Sequence, residues 1–173
     1  GADIPHYIGW LDAMKSGGWT DTMHYAFFDR RDRALSLLIF YGFSMVSGLP
    51  SWAIVQFAPL ALGPLTVLAT FFFMREAGLG RGVCALGSLF AASSFLTVVG
   101  IFSGFLSNWM AFILVLFFSA LFMKALRFNS WFLCFFSSLT LALTLFMHAY
   151  TWTIAMATLV LFFFILLLGR LLS

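Results

Sequence analysis

The chain has 173 residues, of which 63% are hydrophobic, 20% aromatic and only 9% charged, and its mean hydropathy is +1.06. Soluble domains carry about 25% charged residues, so this composition excludes water as the main solvent. The net charge of +3 is modest and clustered at segment ends, which argues against nucleic acid as a partner and for orientation in a membrane.

Residues 1–33 hold most of the polarity. The opening "GADIPHYIGWLDAM" lacks an initiator Met and any signal-like run, and it reads as the start of an excised piece. Within it, 5–15 is expected to be a short amphipathic helix. Asp3 suits the N-cap, Pro5 the first turn, and Ile8, Leu11 and Met14 fall on one face beside Tyr7. Ser16-Gly17-Gly18 ends it. Trp19, His24, Tyr25, Phe27 and Phe28 are the aromatic-polar mixture of a membrane–water boundary, and "DRRDR" (29–33) closes the region.

Beyond Ala34 the only charged residues are Arg75, Glu76, Arg81, Lys124, Arg127 and Arg170. They leave uncharged blocks at 34–74, 82–123 and 128–169, each with room for two crossings of about 20 residues. The first piece, 34–49, is an exception: sixteen residues rise roughly 24 Å, short of a hydrocarbon core of roughly 30 Å. Residues 51–74 are long enough, although Pro59 and Pro64 should kink them. Further spans are expected at 83–100, 109–126, 130–147 and 149–169. The expected fold is therefore all-α: a polytopic membrane bundle (51–173) of about five transmembrane helices, preceded by a loop region (1–50) with two membrane-parallel helices. Cys84 and Cys134 lie in apolar segments and read as small hydrophobes rather than as a disulfide.

Basic residues orient the bundle. The connections at 75–81, 124–130 and after 169 hold five of the nine Lys and Arg, whereas those at 100–108 and near His148 hold none. The first group is expected on the cytoplasmic side and the second outside. Residues 1–33 follow from the fate of 34–49. If 34–49 crosses, they are cytoplasmic; if it lies in the interface, they face outward. Charge favours the first arrangement and length the second.

Asp3 is the sharpest chemical candidate. A carboxylate at the head of a rigid helix near a membrane surface can deprotonate an acceptor hydroxyl, and it can equally be a plain N-cap. His6 and His24 could contact a phosphate or an acceptor, or be solvated loop histidines. Arg30, Arg31 and Arg33 match phosphate geometry, or form an interfacial basic collar on anionic headgroups. His148, in "FMHAYTW", is an ionisable residue at an outward helix end: a site residue, or part of an aromatic belt beside Tyr150 and Trp152. Ser103, Ser107 and Asn108 offer hydrogen bonds in the outward loop. No acidic residue follows Glu76, so a divalent metal site with hard ligands is not expected. Arg75 and Glu76 read as a surface pair.

The order of features carries a resemblance. "GAD" heads a juxtamembrane helix, then come "GGW…HYAFFDRRDRALSLLIFYGFSMVSGL", "VLATFFFMREAGLGRG", "CALGSLFAASSFLTVVGIFSGFLSNWMAFILVLFFSALFMKALR" and "FMHAYTWTIAMATLV". This resembles the N-terminal half of GT-C class integral-membrane glycosyltransferases without their first helix, in pattern over most of the chain. The resemblance implies an extracytoplasmic loop with two helices along the membrane, 5–15 and 34–49, so that residues 1–33 lie outside. It implies Asp3 as catalytic acid/base. The donor it implies is a polyprenyl- or dolichyl-phosphate-linked sugar, in the cell membrane or that of the endoplasmic reticulum, and the acceptor a protein, lipid or glycan. His6, His24, Arg30, Arg31, Arg33, Asn108 and His148 would then lie near substrate. Several branches carry an acidic residue or pair in the second outward loop, where this chain has Ser107-Asn108, which speaks against metal-dependent chemistry. The alternatives are half of a transporter or flippase, or a non-catalytic assembly subunit; the first would need more polar groups at the bilayer midplane than these spans offer.

Overall fold

The computed structural model describes residues 3–94, 98 and 104–172, and every regular element among them is a helix. These are α1 (Ile4–Ser16), α2 (Trp19–His24), α3 (Ala34–Ser47), α4 (Ser51–Glu76), α5 (Arg81–Ala92), α6 (Leu106–Phe128), α7 (Trp131–Met147) and α8 (Ala149–Leu172). A wide turn over Tyr25–Asp29 and a tight one over Arg31–Arg33 carry α2 into α3.

Three helices are long and apolar enough to cross a membrane: α4, α6 and Ala149–Arg170 of α8. This is a membrane protein by that measure. The sequence suggested five spans. α7, with 17 residues, rises roughly 25 Å, and α5 has 12 residues. The span expected at 83–100 is described as helix only to Ala92; most of its second half lies outside the described residues.

Residue pairs at the helix ends give the directions. Arg127 meets Glu76 where α6 and α4 finish, and Asn108 meets Thr151 where α6 and α8 begin. Those three helices run the same way, and α7 returns between α6 and α8 through a left-handed Asn129 (φ 47°). α4 continues through Pro59 and Pro64, each of which removes a backbone donor. Beyond them, Trp109 Nε1 donates to Thr66 Oγ1 at 2.7 Å, and that hydroxyl donates to the Leu62 carbonyl at 2.8 Å. All three groups are buried, so this chain joins α6 to α4 without leaving a polar atom orphaned.

The amphipathic helix at the start forms as its pattern demands. Tyr7, Leu11 and Met14 are fully buried, which is the i, i+4, i+7 stripe of one helix face. It packs against α3, through Leu37 and Phe40, and against α4, through Ile54 and Val55. α1 and α3 are matched in length, 13 and 14 residues, and in direction. Asp3 before α1 pairs with Arg33 before α3, and Lys15 near the end of α1 donates to the Leu49 carbonyl just past α3 (3.3 Å). Gly48 stops α3 in a left-handed turn (φ 69°), its N–H on the Ser44 carbonyl, as helix-ending glycines do. The apolar core sits where α1, α3 and the first halves of α4 and α6 meet.

Two expectations need correction. Asp3 occupies the N-cap position but makes no side-chain cap bond; its carboxylate turns to Arg33 instead. Arg75 and Glu76 are not a pair. Neighbouring residues on a helix diverge by about 100°, so Arg75 donates to the Leu79 carbonyl while Glu76 meets Arg127 across the helix pair (3.3 Å). Cys84 and Cys134 are both free thiols.

Candidate functional site

Tyr7 is the hub of the end of the bundle that carries His148. A buried tyrosine must find a partner for its hydroxyl, and here it finds two. The Tyr7 hydroxyl is hydrogen-bonded to the Ser107 hydroxyl and accepts the Ser107 N–H at 3.0 Å. Ser107 in turn meets Ser36 (2.7 Å), whose hydroxyl is also within 2.8 Å of the Arg33 carbonyl. These groups bolt α1, α3 and α6 together, and all three side chains are buried. Gly104 (φ 76°) lies directly against the head of α1: a Cβ there would come within 2.8 Å of Ile4 Cγ1 and 3.0 Å of the Ile4 nitrogen.

The ion pair rests on this bolt. Arg33 Nη1 stands 3.7 Å from Asp3 Oδ2, the two side chains being only 25% and 21% exposed. The Arg33 guanidinium also lies over the rings of Trp10 (5.4 Å) and Tyr7 (5.9 Å), an arrangement favoured by the ring quadrupole. Burial works against its charge, but Tyr7, Asp32 and Asp3 outweigh burial and hold the guanidinium above its ordinary value. Arg30 lies over the same Trp10 at 4.9 Å, and His6 stacks on it at 5.8 Å.

His148 joins from the turn between α7 and α8. Its Nδ1 is 2.8 Å from Thr151 Oγ1 and 3.3 Å from the Thr151 backbone nitrogen. Thr151 Oγ1 is 2.6 Å from Asn108 Oδ1. Burial pushes the imidazole below its ordinary value; Arg33 adds to that shift and Asp32 opposes it. The ring is therefore neutral at pH 7, with Arg33 near enough to matter.

Asn108 and Thr151 also form the polar end of a groove between α6 and α8. Its volume is about 490 Å³, and its walls are apolar, including Phe112, Phe118, Phe122 and Phe162. The lining extends along α6 from Asn108 to Leu126, roughly 27 Å of helix.

The structure thus gathers Asp3, Arg33, Asn108 and His148 in one linked series, with Arg30 and His6 bordering it through Trp10. His24 and Arg31 stand apart. His24 is exposed, stacked on Phe28 and 4.0 Å from Asp29; Arg31 is exposed with no ion pair among the described residues. Ser107 proves structural rather than open to a ligand, and Ser103 lies outside the described residues. Tyr7, Trp10 and Thr151 were missed as site residues. Among the described residues, no three His, Cys, Asp or Glu side chains gather as metal ligands. The chemistry on offer is proton transfer at a carboxylate and an imidazole, with a fixed positive charge between them. Comparison with protein-family models, curated proteins and solved structures finds no match to this chain.

Proposed function

We propose that this chain forms part of a GT-C type membrane glycosyltransferase that moves a sugar from a polyprenyl- or dolichyl-phosphate donor to a hydroxyl or amide acceptor outside the cytoplasm. The observation that carries the reading is the groove between α6 and α8, whose one polar end is hydrogen-bonded to His148 beside the Arg33–Asp3 pair. A long apolar wall ending in a compact charged cluster suits an amphiphile with a phosphate head. Ligand sites in membrane helix bundles put their few polar groups where orientation is needed.

In this reading Asp3 takes the proton of the acceptor as the acceptor oxygen or nitrogen bonds to the sugar anomeric carbon. The bond from that carbon to the phosphate oxygen breaks, and the lipid phosphate leaves with the electron pair. Arg33, held by two rings and a carboxylate, faces the charge that develops there. The pairing of α1 with α3 supports placing both along the membrane surface. α1 carries exposed His6 and Asp12, so a parallel neighbour that crossed the bilayer would draw them into hydrocarbon. Residues 1–33 then lie outward.

The test supplies membranes carrying the chain with radiolabelled polyprenyl-phosphate sugars and a photoreactive polyprenyl phosphate. Crosslinks are expected on α6 and α8, and sugar transfer is expected to vanish in Asp3→Asn at equal expression. Transfer that survives Asp3→Asn removes Asp3 from the mechanism, and crosslinks only outside the groove remove the donor site.

A further inference from the structure

His148 is more than a neighbour of the groove. It is the residue immediately before α8, and its Nδ1 lies 3.3 Å from the amide of Thr151, the third residue of that helix. That is the geometry of a side-chain N-cap, filled here by an imidazole nitrogen instead of the usual oxygen. Only an unprotonated Nδ1 can accept that amide proton.

The Thr151 amide reaches Nδ1 at 3.3 Å, and the Thr151 hydroxyl, 2.8 Å from the same nitrogen, donates to Asn108 Oδ1 at 2.6 Å. That set requires the neutral imidazole with its proton on Nε2. In the imidazolium both ring nitrogens carry protons, so Nδ1 becomes a donor to Thr151 Oγ1 and the Thr151 amide loses its acceptor.

We propose that His148 is a proton-operated cap on α8: neutral, with its proton on Nε2, it holds the first turn of that helix; protonated, it releases that turn. The charges around it set the threshold. From the turn before α3, Arg33 opposes protonation and Asp32 favours it, while Asp3 reaches the ring only through Arg33. α7 brings no charged residue, and those of α6 and α8, Lys124, Arg127 and Arg170, stand at the far ends of their helices. An imidazolium at a helix N-terminus also meets the positive end of the helix dipole. The cap is therefore complete above the ordinary histidine range and lost below it. This inference stands whatever the groove holds, so it can fail while the glycosyltransferase reading survives.

The experiment is hydrogen exchange at the amides of 149–152 in the detergent-solubilised chain across pH 7.5 to 4.5, corrected for the intrinsic pH dependence. Exchange is expected to rise about fivefold, the value of one side-chain cap of ~1 kcal/mol, with a midpoint below about 6.5. In His148→Asn, which caps without titrating, protection should be independent of pH. Wild-type protection that is flat across this range, or a His148→Asn variant that titrates as the wild type does, overturns the cap.

Discussion

Each end of the bundle has an arginine–carboxylate pair, and the two are not alike. At the end where α4 and α6 finish, Arg127 stands 3.3 Å from Glu76 and also donates to the Glu76 carbonyl. That pair has an ordinary explanation, because a helix C-terminus has unpartnered carbonyls and attracts cations. At the other end, Arg33 and Asp3 are farther apart at 3.7 Å yet more enclosed, and neither satisfies a helix terminus. Asp3 stands at an N-cap and makes no cap bond. A carboxylate that forgoes its local hydrogen bond to sit beside a ring-stacked arginine is positioned for something other than the helix. Under the proposed function, the first pair serves stability and the second serves chemistry.

Substitutions can break that contrast, beginning with the largest effect. Asp3→Asn should lower sugar transfer about a hundredfold or more, the usual range for losing a general base, while Glu76→Gln leaves transfer within about twofold of wild type; equal losses in the two variants end the distinction. Arg33→Lys keeps the charge but loses the planar stack on Tyr7 and Trp10, and transfer should fall about tenfold. Tyr7→Phe leaves the Ser107 amide without its acceptor in the core while the Ser107 hydroxyl keeps Ser36, a cost of about 1–3 kcal/mol, visible as a lower Tm in detergent. The pH dependence is smaller. The His148 imidazole is depressed when folded, so the unfolded chain binds the extra proton. Stability is full above about pH 6.5 and declines as pH falls from there through the lowered folded value. A Tm drop of about 2 °C is expected, absent in His148→Asn. Smallest of all, Arg127→Gln should cost about 1 kcal/mol, because the arginine of that pair is half-exposed.

How far the sequence could be read depended on the range of the interaction. The buried stripe Tyr7, Leu11 and Met14 was legible because a helix repeats within the segment itself. The charge-free blocks were legible for the same local reason, and three of them proved to hold helices of spanning length. Three of the five expected spans are seen at crossing length among the described residues, while α7 has 17 residues and α5 is described for 12. Of the candidate residues, Asp3, Arg33, Asn108 and His148 come together at one end of the bundle, but the bonds that join them were not legible. Tyr7 meets Ser107 across 100 positions and Thr151 meets Asn108 across 43, and no periodicity spans such gaps. Tyr7 still left a clue, since a tyrosine on an apolar stripe must bring a partner for its hydroxyl inside. Thr151, one of many hydroxyls in an apolar run, left none.

Gly104 has a further bearing on this chain. With its left-handed backbone and Ile4 pressed against its bare α-carbon, it is a mechanical stop whose thickness sets how far the head of α1 can travel. Even a methyl group there would act as a shim, lifting the head of α1, and with it the Asp3 carboxylate, while leaving the identity of every side chain at the site unchanged. Loss-of-function screens should therefore recover this silent position as readily as the acid itself.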